Sequence, residues 1–197
     1  MNYWDCPIKE WSAFTEEDLE WFELTPGDTI YFNDNLGNDS VFLTCVSRKQ
    51  WVDTTCVEEI QCTDEIQCTS YHFINFGFTS SIPHGNDWYL HLDIELKKLS
   101  SSFNIEMTFQ DESNDYYSFW FMYRSDEHKF YNKVSGAIEN VGSININGED
   151  YSDVLAISYS DDGGSYPFVY YDTLYFNKDG FLKFISSQHG YVLERLP

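Results

Sequence analysis

Four carboxylates, Asp93, Glu95, Glu106 and Asp111, come nearest to a reaction centre in type and spacing. Alternation along a strand would place Asp93 and Glu95 on one polar face, roughly 7 Å apart, a separation that could serve glycoside hydrolysis. With thirty-three Asp and Glu in the sequence, such pairs also arise by chance. The five histidines, His72, His84, His91, His128 and His189, show neither His-x-His nor His-x-x-x-His spacing and read as surface or turn residues. Ser100–Ser102 and Ser158-Tyr-Ser160 have no adjacent base and read as turn and strand residues. The chain matches no nucleophile elbow, phosphate loop or dinucleotide fingerprint. These readings predict a protein without catalytic residues, metal or cofactor, with glycan hydrolysis by paired carboxylates as an alternative.

Cysteine spacing carries a second kind of chemistry. Cys45, Cys56, Cys62 and Cys68 cluster while Cys6 stands apart, and the gaps of ten, five and five residues, without a histidine between them, do not suit zinc. Glu59-Ile-Gln-Cys62 and Glu65-Ile-Gln-Cys68 repeat at a six-residue step. Along one strand those two thiols would lie roughly 20 Å apart, beyond the reach of a disulfide. Cys45 and Cys56 are symmetric about Gln50-Trp51, and a turn there would set them opposite each other, so the expected bridge is Cys45–Cys56. The alternative is five reduced thiols in a cytosolic chain.

A third candidate site is aromatic. In Tyr116–Tyr123, Tyr116, Trp120 and Met122 point one way and Tyr117, Phe119, Phe121 and Tyr123 the other, so both faces are apolar. Such a strand is either covered on its second face or lines a cavity. Tyr117, Phe119, Trp120, Phe121 and Tyr123 are therefore the candidate contacts for a ligand, and Trp11, Trp21 and Phe22 the candidate cover.

The elements that would position these residues are short and mostly β. Thr15 is a good N-cap with three acids in the following turn, which predicts a short helix over about 15–22. Thr25-Pro-Gly-Asp28 breaks the chain, after which Thr29–Phe32 and Val41–Val46 read as a hairpin around Asn33–Asp39. That loop lacks the Asp-x-Asp-x-Asp-Gly spacing of a calcium site. Leu90, Leu92, Ile94 and Leu96 share one strand face, as do Phe103, Ile105, Met107 and Phe109. Asn147-Gly148, Asp179-Gly180 and His189-Gly190 each sit between apolar runs, marking a β-meander over 143–196. The expected fold is one mainly β domain, 1–197: a strongly curved antiparallel sheet, a half-barrel or open barrel meander, with a short N-terminal helix.

Aromatic residues make up 19% of the chain, enough burial for a core without a metal. The formal charge of −22 repels phosphate backbones and anionic lipid surfaces, which argues against nucleic acid as a partner. No run approaches the ~20 apolar residues of a membrane span, and Met1–Cys6 lacks the basic start and apolar run of a signal peptide.

Gly27-Asp-Thr-Ile-Tyr-Phe-Asn33 after Trp21, Ile146-Asn-Gly-Glu-Asp-Tyr151-Ser-Asp-Val154, Tyr170–Phe184 and the closing Tyr191–Leu196 form a familiar order. In these segments the chain resembles uncharacterised surface or periplasmic lipoproteins of Bacteroidetes bacteria. The resemblance covers both ends of the chain and implies a curved antiparallel sheet outside the cytoplasm, with no established activity. The sequence departs from that group in having no leader and no lipobox, Cys6 before Pro7 having no apolar run ahead of it. The expected location is periplasmic or cell-surface if a leader was removed, and cytoplasmic otherwise. The expected role is non-enzymatic binding of an unknown small molecule, glycan or protein, with a purely structural or protein-interaction module as the alternative.

Overall fold

The computed structural model describes residues 8–10, 13–35, 41–58, 66–84, 88–99, 101–110, 116–134, 137–158, 171–187 and 189–197. Its first elements are β1 (Ile8–Glu10), the single-turn helix α1 (Glu16–Leu19), β2 (Thr29–Asp34), β3 (Val41–Glu58) and β4 (Ile66–Ser80). Two minimal strands, β5 (Pro83–His84) and β6 (Trp88–Tyr89), precede β7 (His91–Lys98), β8 (Ser102–Gln110), β9 (Tyr116–Arg124) and β10 (Lys129–Val134). The last third supplies β11 (Ala137–Ile146), β12 (Glu149–Ser158), β13 (Thr173–Asn177), β14 (Gly180–Ser186) and β15 (Tyr191–Arg195).

Twelve strands form one antiparallel sheet in the order β10-β9-β8-β7-β4-β3-β2-β15-β14-β13-β12-β11, nearly closed into a barrel. Neighbours in the sheet are almost all neighbours in sequence, joined by hairpins. The long-range exception is β2 with β15, where Phe32 lies opposite Arg195 and Asp34 opposite Leu193. That pairing brings the two ends of the chain together and transfers the break in the barrel to β10 and β11. β1 adds a short parallel strand on β4, with Ile8 opposite Cys68 and Glu10 opposite Ser70.

The predicted alternation is realised in β7 and β8. Leu92, Ile94, Leu96, Phe103, Ile105, Met107 and Phe109 are buried inside the barrel, and the polar residues between them face outward. The meander turns also appear as expected. Asn147 (φ 52°) and Gly148 (φ 89°) take the left-handed conformation that a two-residue hairpin needs. Gly180 (φ 100°) closes the turn from β13 to β14, and a methyl group built there would lie 3.3 Å from Ile30 Cδ1. Gly180→Ala combines backbone strain with this crowding and is expected to cost about 1–2 kcal/mol in chemical denaturation. Unchanged stability would contradict the turn.

The helix is shorter than the expected span. Thr15 caps it by accepting from the Asp18 amide at 3.2 Å, and the Asp18 carboxylate accepts from the Thr15 amide at 2.8 Å. After Leu19 the chain turns inward because Trp21 and Phe22 are core anchors. Phe22 is 2% exposed, with ring centroids 6.5 Å from Phe76, 6.3 Å from Phe103 and 6.5 Å from Phe176. Phe22 therefore sits between the two walls of the barrel, with Phe14, Leu19, Trp21 and Leu24 packed against the same core, to which both halves of the sheet contribute.

α1 is fixed to the barrel by a buried ion pair. Lys98 Nζ donates to Asp18 Oδ2 at 2.6 Å, and both side chains are almost fully enclosed. Ser125 Oγ donates to the other carboxylate oxygen at 2.5 Å. Burial alone would raise the Asp18 pKa, but the bonds from Lys98, Ser125 and the Thr15 amide outweigh it and hold the carboxyl below its ordinary value.

β3 corrects the expected local fold. The sequence places a strand only to Val46 and a turn at Gln50-Trp51, yet β3 continues to Glu58 and pairs with β4 in a single ladder from Leu43–Ser80 to Glu58–Ile66. Ser47–Glu58 contains neither Gly nor Pro and carries Val52, Thr54, Thr55 and Val57, residues that favour extended backbone. The outer halves of β3 and β4 thus extend as an arm beyond the residues where β2 and β7 pair with them.

Candidate ligand-binding cleft

The seam between β10 and β11 is where the barrel fails to close, and no ladder joins the two strands among the described residues. Local geometry on both sides keeps it open. β10 has a register shift between Asn132 and Val134, and β11 has two, around Gly142. Shifts of this kind bend a strand and blunt its edge. Opposite the second shift of β11, Ser152 and Asp153 of β12 stand outside the register, and Asp153 is held at φ 55°. A non-glycine residue in this conformation costs on the order of 1–3 kcal/mol and persists only where its surroundings impose it. Beyond the bulge, Ile146 and Val154 pack with Leu182 in a small second core, and Asn147 Nδ2 donates to the Arg195 carbonyl at 2.8 Å. The far end of the β11–β12 hairpin is anchored there.

The open seam leaves a cleft of about 510 Å3. Trp21, Tyr123, Phe130, Ile138 and Leu155 supply its apolar surface, and Glu20, His128, Lys129, Asn140, Asp153 and Lys178 its polar one. Trp21 is held edge-on by Phe130 at 5.0 Å and Phe176 at 5.8 Å, so its ring is fixed from the core side. Lys178 Nζ bonds Glu20 Oε2 at 2.7 Å and lies 5.9 Å from the Trp21 ring centre. His128, also in the left-handed region at φ 50°, places Nδ1 3.3 Å from the Tyr123 hydroxyl and Nε2 3.5 Å from Glu17. Burial and the Glu20 carboxylate push the Tyr123 phenol above its ordinary pKa, so it stays protonated near neutral pH. Asn140 Oδ1 accepts from the Gly142 amide at 2.9 Å. In a chain of net charge −22, this cleft balances two carboxylates with two ammonium groups.

The five aromatic residues singled out from the sequence do not form one site. Tyr117 (6% exposed), Phe119, Phe121 and Tyr123 are buried in the barrel interior, and Trp120 faces outward at 41% exposure. Tyr117 accepts a hydrogen bond from the Tyr171 amide at 3.1 Å and packs on Phe109 and Phe119. The two-sided aromaticity of β9 is thus mainly an inner core face and an outer face carrying one exposed indole. Of the five, Tyr123 alone borders the cleft.

The carboxylates from the sequence lie elsewhere. Glu95 and Glu106 are directly opposed on β7 and β8, and Asp93 faces Thr108. Burial, then the neighbouring Glu106 charge, raise the Glu95 pKa. None of these residues lines the cleft. Asp111 lies outside the described residues.

The expected Cys45–Cys56 bridge is also corrected. Cys45 is a free buried thiol whose backbone faces Phe78, and burial pushes its pKa up, which makes it unreactive. Cys45 and Cys56 sit near opposite ends of one strand, more than ~30 Å apart at ~3.3 Å per residue. A disulfide requires Cα atoms within about 7 Å.

Sequence reasoning missed Trp21 as a cleft residue, and also Glu20, Phe130, Asn140, Asp153 and Lys178. One signal was present: Gly142, inside a strand pattern, marks a bulge. No family model matches the chain, and no curated protein or solved structure shows significant similarity to it.

Proposed function

We propose that this chain is a non-enzymatic extracytoplasmic binding protein that holds a short glycan in the seam cleft. The observation that carries this reading is Asp153, an exposed carboxylate kept in a strained backbone conformation by a bulge on a cleft that also contains the Trp21 ring. Aromatic faces take up the apolar C–H surface of a sugar, and a few carboxylate, amide and ammonium groups fix its hydroxyls. The cleft offers both sets, and a volume of about 510 Å3 is in the range of small-molecule sites. The extracytoplasmic placement rests on the clustered cysteines and on the resemblance to envelope lipoproteins.

Ligand-observed NMR of the intact protein against neutral and acidic mono- to tetrasaccharides tests the reading. At least one glycan is expected to bind. Asp153→Asn keeps a residue that tolerates left-handed backbone while removing the charge, and it is expected to weaken binding about tenfold, the lower range for a hydrogen bond to a charged group. Binding by no glycan at millimolar concentration, or equal binding by Asp153→Asn, would overturn it.

A further inference from the structure

The arm formed by β3 and β4 carries a site that the sequence pattern concealed. Along its ladder Thr54 lies opposite Ser70 and Cys56 opposite Cys68. Thr54 Oγ1 and Ser70 Oγ are 2.7 Å apart, so side chains of that pair meet across the two strands. Positions two residues apart are equivalent in a ladder, so Cys56–Cys68 repeats the register of the Thr54–Ser70 pair. Directly opposed residues of an antiparallel pair have Cα atoms about 4.5–5.5 Å apart, inside the span of about 4.4–6.8 Å that disulfides use.

We propose that Cys56 and Cys68 form a cross-strand disulfide that clamps the arm. The bond forms by thiol–disulfide exchange with a small-molecule disulfide such as oxidised glutathione. The thiolate of one cysteine attacks a sulfur of the reagent and releases one glutathione thiol. The second cysteine then attacks the mixed disulfide, closes the Cys56–Cys68 bond and releases the other. The two protein thiols are oxidised, the reagent is reduced to two thiols, and the two thiol protons end on them.

The clamp has a physical purpose. Trp51, Val52, Asp53, Thr54 and Thr55 are all exposed, so beyond the Trp51–Phe73 ring stack at 5.1 Å and the Thr54–Ser70 bond this half of β3 rests on its ladder, and an isolated two-stranded ribbon is marginal in water. β1 covers only Cys68–Ser70 of the opposite strand. Closing a loop of roughly a dozen residues shifts the open–closed equilibrium of the arm on the order of a hundredfold toward closed.

The test is non-reducing peptide mapping by mass spectrometry of the full chain after equilibration with reduced and oxidised glutathione. A peptide joining Cys56 to Cys68 is expected, retained in Cys62→Ser and lost in both Cys56→Ser and Cys68→Ser. Amide exchange at 48–55 and 69–72 should accelerate at least ~10-fold on reduction. A bridge from either residue to Cys62, or free Cys56 and Cys68 in the oxidised protein, would overturn the proposal. So would a Cys56–Cys68 bond whose reduction leaves arm exchange unchanged.

Discussion

Asp18→Ala should lower the stability of the fold by about 3–5 kcal/mol, because it leaves the buried Lys98 ammonium without its carboxylate. The loss is larger than a surface pair would give, since Lys98 is only 3% exposed. Ser125 and the Thr15 cap lose the same partner. Adding Lys98→Met removes the orphaned charge and should restore part of the stability, a recovery that a merely misfolded α1 would not show. The pH dependence has a defined sign. The Asp18 pKa is lower folded than unfolded, so its contribution is complete above the unfolded value, about 3.9, and disappears as pH falls through the folded one. Urea midpoints of parent and Asp18→Asn should therefore converge below about pH 4 and separate above it. A gap that widens toward acid would contradict the assignment.

Phe22→Ala is expected to cost about 3–5 kcal/mol, the range for emptying a large aromatic site in a core. Phe22 touches rings from both walls of the barrel, Phe76 and Phe103 on one side and Phe176 on the other. Strands on either wall could not close on the void without moving the sheet. The adjacent Trp21 should lose its fixed position, so glycan binding should fall with stability. Phe22→Leu, which keeps part of the volume, should lie between alanine and the parent in denaturant midpoint. A near-neutral Phe22→Ala would mean that the Phe22 ring lies over the barrel and does not fill its interior.

Some of this architecture was legible in the residues and some was not, for reasons of range. β7 and β8 follow strict alternation, so each residue's face follows from its neighbours. Asn147-Gly148 and Gly180 specify their turns through φ, again a local property. The closure of the sheet depends on β2 meeting β15, and nothing near Phe32 or Arg195 encodes that contact. The cleft follows from the closure, because joining the chain ends leaves the opening between β10 and β11. The aromatic strand β9 misled for a related reason: a strand apolar on both faces records burial but not which residues border a space. Tyr123 does, at one end of the strand, while Tyr117, Phe119 and Phe121 are core. The continuous β3 was masked by reading symmetry around Gln50-Trp51 as a turn, although β-branched residues there favour extension.

The most direct test of the central claim is amide chemical-shift mapping of the intact protein titrated with the best-binding glycan. Shifts are expected to concentrate at Trp21, Tyr123, Phe130, Asn140, Asp153 and Lys178, with the outer face around Trp51, Glu95 and Trp120 unchanged. Shifts centred on that outer face, with the cleft residues silent, would contradict it.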